Sequence, residues 1–178
     1  MNKKYELTAE SVEAPSGVKL YRIKALRNFG DVVAGELGGF IEKEENLSHY
    51  GDAWVSGDAR VYGDALVSDD ARVFGEARVY GNAWVSDDAR VFGNARVFDD
   101  ARVSGDARVS DDARVYGEAL VYGEARVYGE AWVYGEARVY GEAQVYGEAR
   151  VYDEARVYGD AFVYGNAWVS GELTKEED

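Results

Sequence analysis

An all-β solenoid is predicted by three features of this 178-residue chain. From Gly51 to Ser170 a six-residue block repeats twenty times without insertion, reading Gly or Asp, then Asp, Glu or Asn, then Ala, a variable residue, Val, and finally Tyr, Phe or Ser. Ala holds the third position from Ala53 to Ala167 and Val the fifth from Val55 to Val169 without exception. Each block opens on a turn-forming pair. An unbroken short period of this kind sets the architecture before any single residue does.

Within a block such as Gly57-Asp58-Ala59-Arg60-Val61-Tyr62, the last four residues alternate small or apolar with polar or aromatic, the period-2 pattern of a strand with one buried face. Ala and Val therefore point inward, and Arg and Tyr outward. The opposite register would bury twelve arginines in a narrow interior at a prohibitive desolvation cost. Gly at the block start reaches positive φ without penalty, and Asp or Asn tolerates it, so each block is one short strand and one corner. Recurrent Gly and β-branched Val exclude a helix. Short strands with identical inward residues can bury them only by coiling and stacking on copies of themselves.

Val55 with Ala59, Val61 with Ala65 and every later pair place an aliphatic residue four positions before a small one. In this the chain resembles the hexapeptide-repeat proteins, the trimeric acyltransferase-like superfamily. That resemblance covers residues 51–170 and implies a left-handed parallel β-helix of triangular section with coils of about 18 residues. The preceding segment YRIKALRNFGDVVAGELGGFIEKEENLS is similar to the head of a group of phage and bacterial hexapeptide proteins that carry a transferase label but no known function. Twenty blocks then make between six and seven coils, about 32 Å of rod at ~4.8 Å per stacked strand.

Residues 1–50 differ in kind. They hold the only proline, Pro15, seven of the twenty basic residues, and apolar side chains such as Leu20, Ile23, Phe29, Val32, Phe40 and Ile41. They are expected to cap the N-terminal end, because an exposed coil invites edge pairing. Counting the register backward yields two degenerate blocks from about residue 39, with Ile41 and Leu47 at the Ala position and Lys43 and His49 at the inward Val position. Beyond residue 170, Gly171 and Leu173 continue the register once. Residues 171–178 form an acidic tail whose last residues, Lys175-Glu176-Glu177-Asp178, are expected to discourage end-to-end stacking.

The chain has no cysteine and a formal charge of −14, most of it on the repeats. It lacks an apolar leader and any run near the ~18 apolar residues of a membrane span, so a cytoplasmic location is expected. An acidic rod is repelled by nucleic acid and by anionic lipid.

Chemistry has to lie on columns of residues eighteen apart. One face carries Tyr62, Tyr80, Phe98, Tyr116, Tyr134 and Tyr152, uninterrupted by a polar residue and flanked by Arg60, Arg78, Arg96, Arg114, Trp132 and Arg150. A second carries Ser56, Phe74, Phe92, Ser110, Tyr128, Tyr146 and Tyr164, and a third passes from Ser68, Ser86 and Ser104 to Tyr122, Tyr140 and Tyr158. Such rings are structural rails, and the uninterrupted one is also the candidate interface. One corner reads Asp52, Asp70, Asp88, Asp106, Glu124, Glu142 and Asp160, a candidate acidic ladder or a solvated edge.

The resemblance implies acyl transfer with a histidine base in a cleft between subunits of a trimer. The only histidine is His49, outside the repeats, and no looped-out insertion walls a substrate cleft. With one histidine, neither a metal site nor a cofactor is expected. The sequence therefore reads as a non-catalytic solenoid scaffold or protein-interaction module, homo-oligomeric as a trimer or dimer. Two alternatives stand beside it: a phage-type acidic inhibitor that mimics nucleic acid and binds a basic host protein, and a hexapeptide-family acyltransferase with an unrecognised site, no catalytic residue being assigned and His49 the sole candidate.

Overall fold

The computed structural model describes residues 3–174; the acidic run at residues 175–178 lies outside the described residues. Three strands open the chain: β1 (Tyr5–Glu13), β2 (Lys19–Ala25) and β3 (Leu37–Ile41), followed by a 3-10 turn at Glu44–Asn46. From Trp54–Val55 to Glu172–Leu173 the repeats form two-residue strands at the variable and Val positions, one per block. They assemble into three parallel ladders of seven strands, one ladder extended to ten by β1, β2 and β3. The product is an all-β parallel solenoid of about seven coils.

Register follows the period. Arg60 pairs with Arg78 and Val61 with Val79, and each later pair is again eighteen residues apart. Backbone N–H groups of outward residues donate to the following coil, as Arg60 to the Ala77 carbonyl at 2.9 Å and Tyr62 to that of Val79 at 3.1 Å. Every Ala from Ala53 to Ala161 and every Val from Val55 to Val163 is buried, which gives the single file of small apolar side chains that a narrow coil can enclose.

The corners explain why Gly and Asp share the first block position. That residue has φ near +60° to +70° at Gly57, Gly63 and their equivalents, and five corners place Asp69, Asp87, Asp99, Asp111 and Asp153 there at φ of 55° to 59°. A left-handed conformation costs a side chain about 1 kcal/mol. Asp offsets part of that cost by reaching the next coil: Asp87 accepts the Gly105 N–H at 3.0 Å and Asp111 that of Gly129 at 3.1 Å.

At both ends the register departs from simple counting. Ile41 pairs with Val61 and Leu47 bridges to Val67, twenty residues apart rather than eighteen. Ile41 and Leu47 thus occupy Val positions, not Ala positions, and Lys43 and His49 do not point inward as Val equivalents. Two extra residues between Leu47 and Val55 correct the phase, keeping a lysine out of the apolar interior and admitting two branched aliphatics instead. At the other end Val157 pairs with Leu173, sixteen residues on, so the last corner is two residues shorter and Leu173 takes a Val position.

The first coil presents backbone carbonyls that have no preceding coil to serve. Phe40 N–H donates to Ala59 and Ser48 N–H to Val67, both at 2.9 Å. Where no strand passes, side chains substitute: the Asn46 amide donates to Ala65 at 2.8 Å and Gly63 at 3.0 Å, and the Lys4 ammonium to Ala53 at 2.8 Å and Gly51 at 3.3 Å. Trp54, at an outward position, is buried beneath Tyr5 and Phe29. Gly38 makes this closeness possible, since a Cβ there would collide with Ile23, the Val55 carbonyl and the Trp54 ring.

Candidate interaction faces and the head cleft

On the first face, the rings of Tyr62, Tyr80, Phe98, Tyr116, Tyr134 and Tyr152 stack at centroid separations of 4.8 to 5.6 Å and interplanar angles of 15° or less. The coil rise alone dictates this spacing, which falls in the favourable range for offset rings. Each ring covers the face of its neighbour, so solvent meets ring edges and hydroxyls and every ring is half-buried. Burial holds the Tyr62, Tyr80 and Tyr116 phenols above their ordinary range, opposed by the adjacent arginines. The rail's upper ring, Tyr62, packs against the cluster of Ala14, Leu20 and Phe40.

Beside the rail, Trp132 lies between Arg114 and Arg150, whose guanidinium carbons stand 4.9 and 4.6 Å from its ring centroid, and Arg150 also covers Trp168 at 4.8 Å. A tryptophan in an arginine column thus separates two like charges and binds both, at roughly 0.5–1 kcal/mol per exposed contact. Sequence reading placed Trp132 in this column without its role; the eighteen-residue spacing from Arg114 and Arg150 was the available signal.

The other faces carry shorter stacks. Phe74 lies on Phe92 at 4.9 Å, Tyr128, Tyr146 and Tyr164 form one run, and Tyr122, Tyr140 and Tyr158 another. Asp52, Asp70, Asp88, Asp106, Glu124, Glu142 and Asp160 fall in one line along the corner between the third and second faces. All but Asp52 are exposed. Asp70 accepts the Asp52 N–H at 2.9 Å. Among the described residues no group of three or more His, Cys, Asp or Glu is placed to hold a metal ion.

His49 sits in the two-residue enlargement at the head. Its ring stacks on Tyr5 at 4.4 Å, its Nδ1 accepts the Lys4 backbone N–H at 3.2 Å, and its Nε2 stands 3.6 Å from Glu44 Oε2. Since Nδ1 is an acceptor, the neutral ring carries its proton on Nε2, toward Glu44. The Tyr5 hydroxyl donates within the same knot, 2.8 Å from the Leu47 carbonyl and 2.9 Å from that of Glu44, and burial pushes its pKa up. Burial likewise lowers the Lys4 ammonium to about 8 despite the pull of Asp52. Beside this knot opens a cleft of about 500 Å³ lined by Glu44, Glu45, Leu47, Tyr50, Leu66 and Ser68 among others. Nothing in the block pattern pointed to the Lys4–Tyr5–His49 association, because His49 is more than forty residues from the other two.

Ladder, period and outer columns together define a β-solenoid repeat protein. Residues 53–69, 59–75, 71–87, 89–105, 95–111, 101–117, 107–123 and 155–171 match a family model described as YdcK Beta solenoid repeat, which is what the repeats of this chain are similar to. No curated protein matches the chain. Among the described residues no helix is long and apolar enough to cross a membrane.

Proposed function

We propose that this solenoid is a non-catalytic interaction module that self-associates, as a dimer or trimer, through the first face. The observation that carries the reading is the rail itself: six aromatic side chains in successive coils with no polar residue between them, continuous from Tyr62 to Tyr152. A continuous column of half-buried rings offers a second copy ring edges to pack on and hydroxyls to hydrogen-bond. Its flanking arginines supply a polar rim that can pair with the acidic corners of a neighbouring copy. In the same reading residues 1–50 act as a cap, supported by the Lys4 and Asn46 donors that occupy the first coil's carbonyls.

Ser occupies the rail position at Ser68, Ser86 and Ser104 on the third face, so the solenoid tolerates it. Changing Tyr80, Phe98 and Tyr116 together to Ser should leave the fold intact and lower the mass measured by light scattering to that of one chain. An unchanged mass, or a parent protein already monomeric at micromolar concentration, reduces the rail to a structural device. Salt separates this reading from charge mimicry: an apolar rail keeps its affinity as ionic strength rises, whereas an acidic edge holding a basic partner loses it steeply.

A further inference from the structure

The third face is unlike the other two in its upper coils. Where most coils carry Arg, it carries Leu66 and Trp84, which pair directly in the ladder. Where the rails carry rings, it carries Ser68, Ser86 and Ser104, so no aromatic column rises alongside; this ring-free strip is the trough, and it meets the head cleft at Leu66 and Ser68. The indole N–H of Trp84 donates to Ser68 Oγ at 3.0 Å, holding the ring across the trough floor. Trp84 is nevertheless 41% exposed, and Tyr50, at the upper end where the trough runs into the head cleft, is 73% exposed. Arg102 closes the lower end, 5.8 Å from the Trp84 ring.

Above Arg102, the charged side chains that border this floor are carboxylates. Glu45 lines the cleft, and Asp69, Asp70, Asp87 and Asp88 follow Ser68 and Ser86 along the adjoining corner. Among the described residues none of these five carboxylates lies within 4.0 Å of a cationic side chain, whereas Glu44 pairs with Lys3 and Asp64 with Lys43. With Leu66 and Trp84 in the arginine column, Arg102 is the first cation of that column, and the coils above it carry an apolar floor instead.

We propose that this trough binds an extended peptide segment in which basic residues alternate with apolar ones, a site separate from the self-association face. An extended chain projects alternate side chains to opposite sides, so residues two apart reach the floor while the intervening lysines or arginines turn outward to the acidic border. Three strand spacings of ~4.8 Å give room for about four residues at ~3.4 Å each. Trp84 and Tyr50 are the anchors, in keeping with the weight of aromatic residues in binding hot spots.

The probe is a fluorescein-labelled Lys-Leu-Lys-Leu-Lys-Leu peptide, followed by anisotropy against the intact protein, with Lys-Ser-Lys-Ser-Lys-Ser as its charge-matched control. The double variant Leu66→Arg, Trp84→Arg restores the residue most coils carry and should keep the parent's melting curve while weakening the Leu peptide at least tenfold. Tyr50→Ser, at an exposed site and with its melting curve as the folding control, should weaken it severalfold, and Leu120→Arg, lower on the same face, should not. Equal affinity of the two peptides for the parent would mean that the acidic corner alone binds, and unchanged affinity in the double variant would mean that the peptide binds elsewhere; either overturns the proposal. A fall in light-scattering mass in the double variant would assign the trough to a second copy of the chain and overturn it too. The triple variant of the first face should keep peptide affinity, so failure of that interface and failure of this site read out separately.

Discussion

Lys4 shows how one side chain can stand in for a missing strand. Fully buried, it places its ammonium on the Ala53 and Gly51 carbonyls and over the Phe29 ring at 4.9 Å. Desolvation lowers its pKa to about 8, with Arg27 and Arg72 adding to the effect and Asp52 opposing it. In the unfolded chain the group titrates near its usual value of about 10.4. Between about pH 8 and pH 10 the unfolded state therefore holds a proton that the folded state has released, and stability attributable to Lys4 rises with pH. Tyr5, whose pKa is raised by burial, acts in the opposite sense only above about pH 10, where the unfolded phenol ionises first. Comparison with Lys4→Met isolates the effect. In urea denaturation, parent stability minus variant stability should grow by roughly 1–2 kcal/mol from pH 8 to pH 10. A difference that stays flat or shrinks over that interval would show that the ammonium is not desolvated as described.

For the elements, the block pattern predicts more than propensity could. Two-residue strands are too short to hold by themselves, and their stability comes from partners eighteen residues away on both sides. Val97 lies inside the coil at 0% exposure, while Asp100 stands in a solvent-facing corner and accepts the Asn82 amide at 2.9 Å. Val97→Asp places an unpaired carboxylate where no donor can reach it, at a cost of several kcal/mol, and should abolish the cooperative melt. Asp100→Asn retains a carbonyl acceptor for Asn82 and should melt within a few degrees of the parent; equal melting of the two variants would refute the inward register. The repeats were legible because Ala and Val recur with no exception for a competing register to exploit. The ends were not: a two-residue gain at Ser48–Asp52 and a two-residue loss near Gly171 leave no mark in composition, and only pairing with the neighbouring coil fixes them. Candidate columns could be assigned to faces by counting. Where rings cover one another, where Trp132 is sandwiched by arginines and where Trp84 is left exposed depends on side-chain packing that counting does not contain.

At the scale of the molecule, a solenoid's free energy is close to a sum of coil terms and coil–coil interfaces, so its length is adjustable if its phase is kept. Removing residues 87–104 deletes one complete coil and joins Ser86 to Gly105, another corner start after a strand end. Every face then keeps its identity: Tyr80 meets Tyr116, Arg78 meets Arg114, and Ala and Val still stack on Ala and Val. Removing residues 87–101 instead deletes fifteen residues and shifts everything downstream by half a block, so that outward residues and corners fall where Ala and Val belong. The eighteen-residue deletion should unfold cooperatively within roughly 10 °C of the parent, having lost one of about seven coils. The fifteen-residue deletion should lose the β signal of the coils below the junction and expose apolar surface to dye. The longer deletion also tests the self-association proposed for the first face, because its rail is shortened by one ring, Phe98, without being broken. Self-association should persist but weaken, with a dissociation constant raised severalfold in sedimentation equilibrium. An unchanged constant in a well-folded deletion would place the contact on residues 1–50 or the lower coils instead of on the rail.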